Sequence, residues 1–275
     1  MADHLHELQK NADRFSGFAA AYHEVRPKCP PYVRELVRRY LGRSPQVVVD
    51  LGCGTGLSTF GWCGEAKQVI GVEPNPEMML TARQAAEKQG LQNVEFGQGF
   101  SDSTGLPDEC ADTAVCSQSF HWMEPAATLR EVSRILKPGG VFLTVDCDWP
   151  PVVGWQAEAA YQTLFEKVRA IEEGDPDIRK TFTRYPKERH LHNIRESGRF
   201  CYVREIVFTS REQGSASRFI GLALSQGSLQ AILKRKPEQI IPDLEAFERA
   251  VRAVMGENAP ADFDFCYRCR IGIKE

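Results

Sequence analysis

The chain has no run of about 18 apolar residues, the length that a membrane-crossing helix requires, so no membrane association is expected. It has no basic excess either: 34 Lys and Arg stand against 37 Asp and Glu, a formal charge of −3, and the pI is near 6.1. Proteins held to nucleic acid mainly through phosphates need a Lys/Arg surplus on one face, so no nucleic-acid partner is expected and a small molecule is favoured. A dense cysteine framework is missing as well. The nine cysteines are an odd number and lie scattered at Cys29, Cys53, Cys63, Cys110, Cys116, Cys147, Cys201, Cys266 and Cys269, which fits reduced, intracellular thiols. The first residues, MADHLHELQKNADRF, carry acid and His where a leader peptide needs a basic patch and then an apolar core. A soluble, cytoplasmic protein is expected.

Metal-ligand patterns are equally thin. Cys266-Tyr267-Arg268-Cys269 is a C-x-x-C without the second ligand pair that a zinc site needs, and in an alternating strand its thiols point to opposite faces. His4/His6 and His190/His192 have no carboxylate or Cys nearby in sequence, so exposed histidines and no metal are expected. No internal repeat or low-complexity tract is present, and no feature speaks to oligomeric state.

What is present is ordinary globular composition: 275 residues, 42% hydrophobic and 26% charged, enough to bury a sizeable core. Short β-rich runs alternate with helical patterns through the first half, as in βαβ units of a parallel sheet. Strands are expected at Gln46 to Leu51, Gln68 to Glu73, Val94 to Gln98, Ala111 to Ser117 and Val141 to Cys147. Helices are expected at Leu57 to Glu65, from Pro76, and at Ala126 to Leu136, the last closed by Lys137-Pro138-Gly139-Gly140. After Trp149 the rhythm changes. Trp155 to Glu173, Arg211 to Arg235 and Asp243 to Met255 read as helices and Gly174-Asp175-Pro176-Asp177 as a turn, while Tyr202 to Thr209 and Phe263 to Ile273 read as strands. Phe263, Phe265, Tyr267, Cys269 and Ile271 share one face of the last strand, which should be half buried and near a sheet edge.

The strongest motif runs Val47-Val48-Val49-Asp50-Leu51-Gly52-Cys53-Gly54-Thr55-Gly56, an apolar strand entering three glycines and then a helix. Glycines there allow a tight turn and close approach of a ligand to the backbone. A second strand ends at Glu73, where a carboxylate can accept both ribose hydroxyls of an adenosine lying across the carboxyl edge of the sheet. The third glycine sits one place early for the dinucleotide fingerprint G-x-G-x-x-G, and Leu57 fills its slot.

At these residues the sequence resembles class I S-adenosylmethionine-dependent methyltransferases of type 11. Asp50-Leu51-Gly52-Cys53-Gly54-Thr55-Gly56 matches their first motif, and Gly71-Val72-Glu73-Pro74-Asn75-Pro76-Glu77-Met78 their second. The likeness continues through Gly99-Phe100-Ser101-Asp102, Leu106-Pro107, Ser117-Gln118-Ser119-Phe120-His121-Trp122 and Leu136-Lys137-Pro138-Gly139-Gly140, covering residues 15 to 148. It is specific to the cofactor and not to the acceptor. The lead-in Phe18-Ala19-Ala20-Ala21-Tyr22-His23-Glu24-Val25-Arg26-Pro27 is similar to that of small-acid methyltransferases such as trans-aconitate and farnesoic acid methyltransferases, where it closes over the donor.

The resemblance implies a doubly wound, mostly parallel, seven-stranded Rossmann-like α/β sheet with an antiparallel late strand and a helical cap after the fifth strand. As one methyltransferase domain over 1–275, the chain would comprise an N-terminal helical lid (1–45), a cofactor-binding core (46–148), a helical acceptor cap (149–198 and 211–258) and last strands (199–210 and 262–274). S-adenosyl-L-methionine is the implied cofactor. Gly52, Gly54 and Gly56 would line its methionine part, with Asp50 in the same turn, and Glu73 would grip the ribose. Pro74 and Met78 would flank the adenine, Phe100 and Ser101 would meet its edge, and Ser117 would lie beneath the methionyl group. Phe100 stands where the family often has an acid, which shifts recognition of the adenine amino group to Ser101 and Asp102.

For the chemistry, Tyr22 is expected near the sulfonium, whose charge an aromatic face favours by ~0.5–2 kcal/mol. A carboxylate acceptor needs no general base, whereas a hydroxyl or carbon acid does, and His121 at the end of the fourth strand is the candidate. Trp122 and the Arg184-Tyr185-Pro186 segment are expected at the acceptor, with Arg184 holding an acidic group through a bidentate contact. Two other classes compete: a methyltransferase acting on RNA or protein, and a nucleotide-binding oxidoreductase or non-catalytic module.

Overall fold

A computed structural model describes residues 9–12, 17, 19–257 and 259–275. His4, His6 and Phe18 lie outside the described residues, as do 1–8 and 13–16 of the expected lid. The chain divides into two compact units, one of residues 28–147, 184–208 and 267–275, the other of 1–27, 148–183 and 209–266.

The first unit carries the parallel strands. Strands β1 (Val47–Leu51), β2 (Gln68–Val72), β3 (Val94–Gly97), β4 (Ala111–Ser117), β5 (Leu136–Cys147), β6 (Phe200–Gly214) and β7 (Ala261–Lys274) form one sheet in the order β3-β2-β1-β4-β5-β7-β6. β1 pairs in parallel with β2 and β4, β2 with β3, and β4 with β5, while β7 runs antiparallel to β5 from Cys147↔Tyr267 to Val141↔Ile273. The expected fold class is therefore present, strand reversal included. Val48, Val49 and Leu51 are fully buried, as β-branched and aliphatic residues must be when helices cover both sheet faces.

Local chemistry explains the helices beside this sheet. Pro76 opens the helix Pro76–Lys88, and Asn75 caps it by accepting the Glu77 and Met78 N–H groups at 2.9 and 3.1 Å. Glu124 caps Pro125–Ile135 in the same way, accepting from Ala126 and Ala127. The helix after the glycine turn is shorter than expected, Leu57–Trp62. β5 begins at Leu136 rather than Val141, because Leu136 already pairs with Ala111 across a register irregularity.

The second unit is mainly helical, with residues 209–214 and 261–266 in strands. Tyr161 of the helix Trp155–Gly174 stacks on Phe165 and meets Phe219 and Phe247, and Phe219 meets Phe263, which makes an aromatic core. Two sequence expectations fail here. Residues 211–214 extend β6, which pairs with β7 at the edge of the sheet, and across that pair the exposed Arg211 guanidinium forks onto Asp264 at 2.7 and 2.8 Å. The chain becomes helical only from Ser215, which caps Ala216–Leu224, and a second helix, Gly227–Arg235, follows. The expected turn at 174–177 instead contains Asp175 capping the one-turn helix Pro176–Arg179.

The lead-in is anchored within this unit. Arg26 is buried, donates to the Ser225 hydroxyl and carbonyl at 2.8 and 2.9 Å, and lies 4.8 Å from the Tyr22 ring centre and 4.7 Å from that of Trp149. Truncating Arg26 to Ala is expected to lower unfolding stability by about 2–4 kcal/mol, since charged hydrogen bonds and desolvated cation–π contacts are lost together. Urea titration of the variant reads the change, and an unaltered midpoint would refute the anchoring role.

Candidate active site

The glycine turn follows directly from β1. Gly52, Gly54 and Gly56 have φ of 65°, 57° and 83°, a left-handed region costly for residues with a Cβ. The Gly52 and Cys53 N–H groups both bond the Val72 carbonyl, at 2.8 and 3.2 Å, which pins the turn to the end of β2. A Cβ on Gly52 would lie 2.8 Å from the Met123 Cε and the Ser119 Cβ, whereas one on Gly54 would meet nothing within 4 Å. Gly52 is thus a packing glycine. Gly54 faces open space.

Glu73 follows β2 and is buried. One carboxylate oxygen accepts the Gly54 N–H at 2.8 Å and the other the Asn75 N–H at 2.8 Å. A carboxylate has about four acceptor directions, so two N–H bonds leave room for further donors. Burial pushes the Glu73 carboxyl up to about 7, against the opposing pull of the Asn75 and Gly54 N–H groups. Asp50 is fully buried; its Oδ2 accepts the Thr59 hydroxyl at 2.7 Å, and burial raises it to about 7. Asp50 therefore ties β1 to the helix behind the turn.

The remaining sequence-predicted positions divide between surface and core. Met78 is buried and Pro74 half-buried at the start of the Pro76–Lys88 helix. Phe100 is half-buried; Ser101 is buried and shares a hydrogen bond with Thr128 at 2.9 Å, so its hydroxyl fastens the loop after β3 to the Pro125–Ile135 helix. Ser117 is half-buried at the carboxyl end of β4. The half-buried Tyr22 belongs to the other unit, with one ring face occupied by the Arg26 cation.

Past β4 the chain makes a turn that leans on the glycines. The Ser119 hydroxyl donates to the Leu51 carbonyl at 2.7 Å, and Ser119 and Met123 are the two residues facing Gly52. Between them, the 3-10 turn Phe120–Trp122 carries His121, buried and 4.7 Å from the Trp122 ring centre to centre. The Tyr185 N–H bonds the His121 carbonyl at 2.8 Å, so the segment from Arg184, itself exposed, lies against this turn. Gln118 takes a φ of 56°, strained for a residue with a side chain.

Four residues here received no role from the sequence. Asp146, buried near the carboxyl end of β5, accepts from His190 Nδ1 at 3.0 Å and Arg270 Nη1 at 2.7 Å through Oδ2. Its Oδ1 forms an ion pair with Lys187 Nζ at 3.2 Å and lies 3.8 Å from His121 Nδ1. Lys187 also donates to Gln118 Oε1 at 3.1 Å. Burial would raise the Asp146 carboxyl, but Lys187 and the His190 hydrogen bond outweigh it and hold it well below the usual range. His121 is driven well below its ordinary value, by burial first and then by the Lys187 ammonium. His190 corrects the expectation of an exposed histidine, being fully buried on a carboxylate distant in sequence. The signal for Asp146 was available, as a lone acid in the apolar run Val141 to Cys147.

Among the described residues no helix is long and apolar enough to cross a membrane, and no group of three or more His, Cys, Asp or Glu is placed to hold a metal. Cys266 is half-buried and Cys269 buried, and both are free thiols.

Residues 49–144 match the methyltransferase domain family. An uncharacterized methyltransferase of Mycobacterium tuberculosis is 34% identical over 126 residues, 46% of this chain and 49% of that protein, so the chain spans about half the length of the curated relatives it matches. A solved protein from Anaeromyxobacter dehalogenans, described as a proposed type II methyltransferase, superposes with a TM-score of 0.62 at 21% identity, over 90% of this chain and 97% of its own. A geranyl diphosphate methyltransferase solved in complex with SAM superposes with a TM-score of 0.50 at 15% identity, over 89% and 85%. Residues 49–144 are therefore similar to the methyltransferase domain family, and the chain shares its fold with a solved protein described as a methyltransferase.

Proposed function

We propose that this protein transfers the methyl group of S-adenosyl-L-methionine to a small-molecule acceptor. The observation that carries the reading is the bond from the Gly54 N–H to the Glu73 carboxylate, 2.8 Å, beside a glycine with open space where a side chain would be. It couples the first glycine turn to the second-strand acid at the carboxyl edge of the sheet, where ligands of such folds bind.

The residues fit the group. Thr55 Oγ1, Asp50 Oδ1 and Gln118 Nε2 are buried polar atoms with no partner in or near the turn, and buried polar groups in native proteins are nearly always satisfied. Glu73 would accept the ribose hydroxyls, Gly52 to Gly56 would pass along the methionyl portion, and Pro74, Met78, Phe100 and Ser101 would border the adenine. When bound, the donor supplies a methyl group already activated on a sulfonium. The chain then has to orient the acceptor and exclude water, and positioning alone can lower a barrier by ~7–11 kcal/mol in well-aligned systems.

The acidic balance of the chain supports a small acceptor over RNA. Arg184, exposed beside the His121 turn, supports one carrying a carboxylate. Calorimetry with S-adenosylhomocysteine and, separately, with nicotinamide dinucleotides tests the first step. Binding of the homocysteine compound alone is expected; preference for the dinucleotide sinks the reading. Methyl transfer from labelled donor to a carboxylic-acid panel, against total RNA and protein, tests the second, and label in a polymer alone would exclude a small acceptor.

A further inference from the structure

We propose that His121 and Asp146 form the proton-accepting pair of this site, with Asp146 as the positioning residue, and that the atom methylated is a hydroxyl oxygen rather than a carboxylate oxygen. The inference rests on the methyl-transfer function proposed above and concerns which atom of the acceptor reacts.

Placement comes first. Asp146 lies near the carboxyl end of β5, and His121 lies in the turn after β4, flanked by the two residues that touch Gly52. Both thus lie at the edge of the sheet where ligands bind. His121 Nδ1 is buried without a hydrogen bond and faces Asp146 Oδ1 at 3.8 Å, an oxygen that is also ion-paired with Lys187 at 3.2 Å. A small ring rotation would join this donor and acceptor, and such bonds commonly tighten only in the substrate complex. A lone pair on Nδ1 would instead confront the carboxylate. The Nδ1–H tautomer is therefore favoured, which leaves the Nε2 lone pair as the basic position.

The neighbours keep this imidazole neutral. The groups facing it are Asp146 from β5, Lys187 and Arg184 from the segment before the His190 helix, and His190 itself. Lys187 and Arg270 balance Asp146 and Glu205, with the Arg270 Nε bonded to the Glu205 carboxylate at 2.7 Å. A proton added to His121 in the resting site would leave an excess positive charge in a buried cluster. His190 also has its Nδ1 on Asp146, but it is fully buried, whereas His121 keeps 8% of its surface exposed and is the more accessible of the two.

The chemistry requires such a weak base to act late. The new bond joins the acceptor oxygen to the methyl carbon, and the methyl carbon–sulfur bond breaks, its electron pair remaining on sulfur as a thioether. The hydroxyl proton becomes strongly acidic as the carbon–oxygen bond forms, and it passes to His121 Nε2. One positive charge disappears at sulfur and one appears on the imidazolium beside Asp146, so the net charge of the site is unchanged. A carboxylate oxygen carries no proton and would leave the pair without a task.

Three measurements on the full chain test this. With the donor present, hydroxy acids are expected to be methylated on the hydroxyl while the matching acids lacking it are not; equal turnover of the hydroxyl-free acids overturns the inference. His121→Gln is expected to lower kcat by roughly 10²–10⁴-fold, the usual range for a general base, with S-adenosylhomocysteine affinity unchanged; full turnover overturns it. Imidazole 15N shifts should show His121 as the Nδ1–H tautomer in the wild type and a mixture in Asp146→Asn, and an Nε2–H wild type overturns it. Should Asp146→Asn not fold, Lys187→Met supplies the signature through an upward move of the His121 titration, and an unmoved titration counts against the pair. Failure of the wild type to bind S-adenosylhomocysteine would instead defeat the methyl-transfer reading, so the two failures are distinct.

Discussion

Glu73→Gln is expected to weaken S-adenosylhomocysteine binding on the order of 10²-fold, since hydrogen bonds to a charged acceptor are worth about 1.5–3 kcal/mol each. It is also expected to change how stability depends on pH. The folded-state pKa of Glu73 is raised to about 7 from 4.5, the reverse of the usual carboxylate case. Between those values the folded state binds more protons than the unfolded one, so stability falls as pH rises from about 4.5 to about 7, and above that the full cost of the buried charge persists. Glutamine has no charge to bury, but its amide presents one donor where Gly54 and Asn75 both donate, so the absolute stability shift combines opposing contributions. The slope is free of that ambiguity. Denaturation midpoints across this pH window should decline less steeply in Glu73→Gln than in the wild type, and the loss of the Glu73 charge also relieves Asp50, which burial first and that charge last raise to about 7, so both effects flatten the slope. Parallel slopes would show that Glu73 is not the buried charge described here, and unaltered product affinity would remove it from the ribose.

Gly52→Ala is expected to destabilise the protein by about 2–4 kcal/mol, whereas Gly54→Ala should cost only about 1–2 kcal/mol and chiefly lose ligand. Both sites require left-handed backbone, with φ of 65° and 57°. Only at Gly52 does the added methyl meet other atoms, the Ser119 Cβ and Met123 Cε at 2.8 Å. The methionine end can swing aside, but the serine is held by its 2.7 Å bond to the Leu51 carbonyl, so the clash must move the turn that carries His121. At Gly54 the methyl enters open space, which the proposed donor would occupy. Urea midpoints and calorimetry on both variants separate the effects. Wild-type product affinity in Gly54→Ala would show that the open side of the turn is not where the ligand lies.

Elements set by local sequence are the ones legible in it. β4 has the expected bounds, Ala111–Ser117, and β1 differs by one residue, because buried runs of β-branched residues between turn signals leave few alternatives. Pro76 and Pro125 announce helix starts that the Asn75 and Glu124 caps complete. The far end of β6 reads locally as helix because the strand it pairs with, β7, is distant in sequence, as the Arg211–Asp264 contact 53 positions apart shows. The burial of His190 is hidden for the same reason: its partner Asp146 lies 44 positions away on β5, and a lone histidine in a polar segment carries no sign of burial.

The glycine turn, the acid ending the second strand and the alternation of helix with parallel strand were determined by the amino-acid sequence itself, since each is a constraint on neighbouring dihedrals or on a short hydrophobic period. Only the tertiary structure decided which glycine packs and which faces open space, and that Asp146, Lys187, His190 and Arg270 converge behind His121. Those relations depend on the antiparallel return of β7 along β5 and on the Tyr185 bond to the His121 carbonyl. They are set by the packing of distant segments, and no local propensity encodes such an arrangement.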